Sequence, residues 1–212
     1  MTRYLDLNSW TRRETFEYFK NFDKPYFNVS TRVDITQLLA RCRSTATNVT
    51  LSYHYAGLRA GNEVEPFRYR LRAEGVVIHP VIHGATTVLL PNESFSFARF
   101  NYEPDFQQFL TGASRAVADV LAGGVNFKPR DEVDAVIHFT TLPWISFTSF
   151  SHARNWRRRD SVPKIAFGKF MKEGDRVYLP VSVEVHHALM DGLHVGRYLE
   201  EFQRLLLNAE PG

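Results

Sequence analysis

The segment His186-His187-Ala188-Leu189-Met190-Asp191-Gly192 packs two imidazoles and a carboxylate into seven residues. An imidazole titrates near neutrality, so it can take a proton from a hydroxyl at physiological pH and give it up again. The residues alone leave other readings open. The histidines can form a core pair satisfied by backbone carbonyls, with Asp191 serving only as a helix N-cap. A metal site is a weaker reading. His187 and Asp191 could both ligate only if the backbone between them curled around the ion, and no Cys or further His stands at a helpful spacing. No bound metal is expected.

Whatever the chemistry, particular elements must position it. Residues 176 to 185 predict a strand running straight into this segment, and Val195, Leu199, Phe202 and Leu206 predict a core-facing helix over residues 192 to 207 behind it. The groups would then sit in a strand-to-helix corner, where irregular backbone often carries function. Lys172-Glu173-Gly174-Asp175 suits a hairpin turn joining that strand to another over residues 165 to 171. Near the start, Thr11-Arg12-Arg13-Glu14 has capping-box spacing and predicts a helix over residues 11 to 20, with Arg12 in its first turn. Helical spacing recurs from Ile35 through Leu38, Leu39 and Cys42, and again over residues 48 to 60. Strands are expected at residues 67 to 71, 76 to 78, 86 to 90, 95 to 102 and 134 to 140, and a helix over residues 104 to 121, ended by Gly123-Gly124. The fold class is α+β, a mixed β-sheet flanked by helices, in a single domain over residues 1–212.

Composition narrows the functional classes. The 212 residues, 44% of them hydrophobic, suffice for one substantial core without staples. A single cysteine, Cys42, excludes an internal disulfide framework and a multi-cysteine metal site. A net charge of +3 is too small for a binder that neutralises many phosphates, so no nucleic acid partner is expected. Residues 1 to 10 have no apolar signal core, and no uncharged stretch approaches membrane-spanning length. A soluble, cytoplasmic protein with no membrane partner is expected. One basic run, Arg154-Asn155-Trp156-Arg157-Arg158-Arg159, reads either as a solvated loop or as an anion-attracting rim.

Three motifs in order resemble the chloramphenicol acetyltransferase family: Trp10-Thr11-Arg12-Arg13, Leu142-Pro143-Trp144, and Leu179-Pro180-Val181-Ser182-Val183 leading to His186-His187-Ala188-Leu189-Met190-Asp191-Gly192-Leu193-His194. The His-His-x-x-x-Asp-Gly element also occurs in peptide-synthetase condensation domains, which are about twice this size, and a relative of it occurs in the acyltransferase cores of 2-oxo acid dehydrogenases. The flanking motifs and the length favour the chloramphenicol family, and the resemblance covers nearly the whole chain.

The resemblance implies an acyltransferase that moves an acetyl group from acetyl-CoA, a co-substrate rather than a resident cofactor, to a hydroxyl of a small acceptor. His187 matches the family's general base and His186 a structural neighbour. Thr140, two residues before Leu142, matches the oxyanion donor, where the family usually has serine. Asp191 and Arg12 match an ion pair that holds the corner in shape. The resemblance further implies a homotrimer with each site between subunits, Phe27 and Phe150 bordering the acceptor pocket, and Lys169 and Phe170 contacting CoA. Departures cluster on the acceptor side: Phe19 replaces a common tyrosine, Ala166 a threonine and His138 an asparagine. His152, Arg154 and the basic run replace a mixed apolar and polar wall. A cationic wall would disfavour a neutral nitroaromatic diol, so the alternative is another natural-product acceptor, with a carrier-protein thioester docking on Arg157, Arg158 and Arg159 as a donor that would suit the run.

Overall fold

A mixed sheet of seven strands organises the chain in the computed structural model, which describes residues 3–123, 134–154 and 160–208. In chain order the elements are β1 (Arg3–Tyr4), α1 (Arg13–Phe19), β2 (Tyr26–Asp34), α2 (Thr36–Ser44), α3 (Val49–Glu63), a short 3-10 turn (Glu65–Arg68), β3 (Tyr69–Arg72), β4 (Gly75–Ile78), β5 (His83–Leu89), β6 (Phe95–Phe100), α4 (Phe106–Gly123), β7 (Val136–Thr141), β8 (Lys164–Phe167), β9 (Met171–Glu173), β10 (Arg176–His186) and α5 (Gly192–Asn208). The large sheet runs β2-β10-β8-β7-β5-β6, with β9 paired to the start of β10, and a small sheet runs β1-β4-β3. The pairs β5 with β7 and β7 with β8 are parallel, and the other neighbours are antiparallel.

Alternation along the strands gives the large sheet two unlike faces. Ile137, Phe139, Ile165, Phe167, Val181 and Val183 are fully or almost fully buried and share a core with Leu58 of α3 and Tyr198 and Phe202 of α5. The opposite face is polar. In register across four strands, Asn28, Glu184, Lys164 and His138 form one row, and Ser30, Ser182, Ala166 and Thr140 form the next. Phe150 and His152, in the connection from β7 to β8, reach this polar face: the Phe150 carbonyl accepts from Ser182 Oγ at 3.2 Å, and the His152 N–H donates to Glu184 at 3.2 Å.

Several expected elements differ in detail. The helix near the N-terminus begins at Arg13, and Arg12 sits at its N-cap with no side-chain cap, so the capping box does not form. Arg12 is instead committed to an ion pair with Asp191, which fixes the chain one residue later than the Thr11 pattern implied. Residues 65–68 form a 3-10 turn where the strand expected over residues 67 to 71 would begin. The strand expected over residues 165 to 171 is broken at Gly168, where a Cβ would meet both the Ile145 carbonyl oxygen and Pro180 at 3.0 Å. β2 lies outside all the expected strands. The turn at residues 172 to 175 does form a hairpin, with Gly174 at a φ of 58°. Among the described residues no helix is long and apolar enough to cross a membrane.

Buried Arg70 locks the two sheets together. Its guanidinium donates to the carbonyls of Phe67, Tyr69, Asp134 and Val136 at 2.6 to 2.9 Å.

Candidate active site

The corner after β10 is built by backbone bonds before any side chain acts. The His187 N–H donates to the Pro25 carbonyl at 2.6 Å, and the N–H groups of Leu189 and Met190 both turn back to the His186 carbonyl. Asp191 then opens α5, its Oδ1 accepting the Leu193 N–H at 3.0 Å. This turn brings the Met190 carbonyl within 3.2 Å of His187 Nδ1. A carbonyl only accepts, so Nδ1 carries the hydrogen and Nε2 keeps a lone pair. The ring stacks on Phe19, with centroids 3.9 Å apart and planes 17° apart, and Phe27 packs at 4.8 Å.

Arg12 reaches the same corner from the start of α1. One of its nitrogens pairs with Asp191 Oδ2, and Nη2 donates to the His187 carbonyl at 3.3 Å. Burial pushes the Asp191 carboxyl up, but His194, Arg12 and the Leu193 N–H together carry it below the usual carboxylate range. His186 faces away from this set: its Nδ1 accepts the Ala188 N–H, and burial together with Arg154 pulls the imidazole down to about 4.

A second group gathers on the polar face of the sheet. Thr140 and Ala166 are direct neighbours there, and Lys169 and Phe170 follow the end of β8. Lys169 is exposed and its N–H is held by the Ile145 carbonyl, while Phe170 packs edge-on toward Tyr53. Phe150 lies between Phe147 and His152. Neither ring nitrogen of His152 has a hydrogen-bonding partner among the described residues. Burial, with Lys164, Arg154 and His138 adding to it, pulls His152 down to about 3; burial likewise brings His138 to about 4.

Of the cationic wall expected from His152, Arg154 and the basic run, the part at residues 152 to 154 is not cationic. The Arg154 side chain is 1% exposed, pairs with Glu184 at 2.5 Å and Asp160 at 3.1 Å, and lies over the Tyr26 ring. Two carboxylates neutralise it, and the two neighbouring imidazoles are uncharged at neutral pH, so this wall is polar but carries no net positive charge. Arg157, Arg158 and Arg159 lie outside the described residues. Among the described residues no group of three or more His, Cys, Asp or Glu side chains is placed to hold a metal ion.

The candidate residues therefore fall into two half-sites. His187, Asp191, Arg12, Phe19 and Phe27 form one, and Thr140, Ala166, His138, Phe150, His152, Lys169 and Phe170 the other. Thr140 stands level with Ser182 of β10, two strands across. From Ser182 to His187 is roughly 17 Å along the strand, and the lateral step is roughly 10 Å. His187 and Thr140 of one chain cannot act on the same bond. The sequence reading also passed over His194, whose Nδ1 lies 2.8 Å from Asp191 Oδ1. Its position three residues after a capping aspartate, one helical turn on, was the available signal.

Comparison with known proteins gives the class first. The fold is shared with a dihydrolipoamide acetyltransferase of Azotobacter vinelandii, at a TM-score of 0.70 over 99% of this chain and 90% of that one, with 16% identity. A solved chloramphenicol acetyltransferase superposes more fully, at a TM-score of 0.90 and 26% identity, covering 97% of this chain and 100% of the other. The family model for chloramphenicol acetyltransferase matches residues 2–203, and chloramphenicol acetyltransferase 2 of Escherichia coli is 31% identical over 205 residues, 96% of each chain. The chain belongs to the chloramphenicol acetyltransferase family and is an acetyltransferase.

Proposed function

We propose that the protein transfers an acetyl group from acetyl-CoA to a hydroxyl of chloramphenicol, with His187 as general base. The observation that carries this reading is the tautomer imposed at His187: Nδ1 is occupied by the Met190 carbonyl and the ring is pinned by Phe19, so the Nε2 lone pair is the free end. The acceptor's O–H proton passes to Nε2 as its oxygen attacks the thioester carbonyl carbon. The carbonyl oxygen becomes an oxyanion, to which Thr140 Oγ donates a hydrogen bond. The tetrahedral intermediate collapses, the C–S bond breaks, and the departing CoA sulfur receives the proton from the imidazolium.

Because the half-sites of one chain are too far apart, Thr140 comes from a neighbouring subunit. A homotrimer with sites between subunits accounts for the separation. Phe27 and Phe19 then face Phe150, His138, His152 and Ala166 of the neighbour across the acceptor, while Lys169 and Phe170 take CoA at the other end. Phe19 and Ala166 lack hydroxyls, so the acceptor is held by aromatic packing and by the neutral imidazoles. The charge balance around Arg154 suits a neutral nitroaromatic acceptor at that part of the wall. No observation favours a carrier-protein donor. Acetyl-CoA as donor places the reaction in the cytoplasm.

The test is thiol release from acetyl-CoA, with and without chloramphenicol, for wild type and His187→Ala. Release should depend on the acceptor and fall by roughly 100-fold or more in the variant. Release that survives the substitution would remove His187 as the base; a folded wild type that releases no thiol with chloramphenicol would overturn the acceptor.

A further inference from the structure

We propose that His194 is a positioning residue for His187, acting through Asp191 and Arg12. This rests on the acetyl-transfer reading above. His194 lies in the first turn of α5 with 9% of its surface exposed, and its Nδ1 is 2.8 Å from Asp191 Oδ1. The other oxygen, Oδ2, is held by Arg12, and Arg12 Nη2 continues to the His187 carbonyl at 3.3 Å. The contacts thus run in one line from His194 through the carboxylate and the guanidinium to the backbone of the base. Oδ1 also accepts the Leu193 N–H at 3.0 Å; a side-chain donor beside that backbone one, opposite Arg12 on Oδ2, tightens the carboxylate's plane and with it the direction in which Arg12 pulls.

The role of Nδ1 follows from its surroundings. It lies 3.1 Å from the Asp191 N–H as well as 2.8 Å from Oδ1, and one nitrogen cannot accept from the first while donating to the second. Asp191 is ionised, and a bare lone pair on Nδ1 only 2.8 Å from Oδ1 would be repelled more than the 3.1 Å contact with the N–H would gain, so the stable arrangement has hydrogen on Nδ1. Burial, with the charges of Arg12 and Arg197 adding to it, outweighs the pull of Asp191 and holds His194 below its ordinary value, so the donor is the neutral Nδ1–H tautomer rather than the imidazolium.

Two polar replacements separate positioning from bulk. The amide of His194→Asn can place a donor where Nδ1 stands, whereas the longer His194→Gln carries its amide to the place of Nε2 and leaves Oδ1 with the Leu193 N–H alone. His194→Gln should lower kcat roughly 10- to 100-fold with the chloramphenicol KM little changed, while His194→Asn keeps kcat within roughly threefold of wild type. In parallel, spectra of protein labelled with 15N at histidine report the His187 ring directly. His194→Gln should broaden or split its signals, and His194→Asn should leave them single. Equal kcat for the two variants, or a loss confined to KM or to melting temperature, overturns the proposal. An inactive wild type would instead defeat the acetyl-transfer reading, and the His187 ring signals still decide whether His194 holds the base in place.

Discussion

His187 is useful because its two nitrogens meet different surroundings, one spent on a carbonyl and one left free, and that difference is made by a five-residue turn rather than by any charged partner. The charged groups act on the turn's shape. Arg12 and Asp191 are 179 residues apart in sequence, so no local pattern joins them; only the family resemblance put the two side by side. Asp191→Asn keeps the shape but removes the charge opposite a guanidinium whose side chain is 14% exposed. With the aspartate a third exposed, the expected loss is about 1–3 kcal/mol by urea unfolding, and kcat should fall more than KM changes. Four imidazoles that the reaction leaves uncharged have a separate effect. Burial holds His54 and His152 near 3 and His138 and His186 near 4. In the unfolded chain each takes a proton near 6.5. Above about pH 6.5 their contribution is complete; between about 6.5 and about 4 the unfolded state binds protons the folded state refuses, and stability declines by up to about 1.4 kcal/mol per imidazole per pH unit. Thermal melts between about pH 7.5 and about pH 5 should show that slope, and conversion of His54 to Phe should lessen it.

Elements with one apolar stripe or one clean cap were legible, and those that serve two masters were not. α3 begins at Asn48, whose side chain accepts the Leu51 N–H, and α5 shows its buried stripe in the spacing of Val195, Phe202 and Leu206. β2 escaped because Asn28, Ser30 and Arg32 occupy its polar face, which reads as loop until the neighbouring row of Ser182 and Glu184 is known. The break at Gly168 also depends on a distant neighbour, the Ile145 carbonyl that crosses it. Arg70 shows the same limit from the energetic side: within an expected strand it looks solvent-facing, yet it supplies four carbonyls with donors and joins the small sheet to β7. Arg70→Met would take the side-chain donor from all four, of which the Asp134 carbonyl keeps the Val136 N–H at 2.7 Å. It should cost about 3 kcal/mol or more in urea unfolding, with amide exchange in β3 and β4 accelerating first.

At the scale of the whole molecule, the distance between half-sites makes a prediction about mixtures. His187→Ala spoils one half-site and Thr140→Ala the other, so each variant alone should be nearly inactive. Unfolded together in equal amounts and refolded, they should pair at random. A competent site needs an intact His187 from one variant beside an intact Thr140 from the other, so about a quarter of sites should recover. Turnover of the mixture at about a quarter of wild type supports sites shared between chains; activity no greater than the average of the parents refutes them. The split also explains why a chemical motif could be read from the sequence while its geometry could not. His187 and Thr140, the two groups proposed to act on the reacting atoms, do not converge within one copy.

Cys42, the chain's only cysteine, lies on the buried side of α2 with its sulfur 3.5 Å from Ser52 Oγ. A folded molecule therefore presents no ready thiol to a disulfide reagent, and the sulfur set free from the coenzyme during turnover is seen against a silent background. Slow colour that develops with neither acceptor nor acetyl-CoA present is a clock for the opening of α2, so the same reagent that counts product also reports how long the protein stays shut.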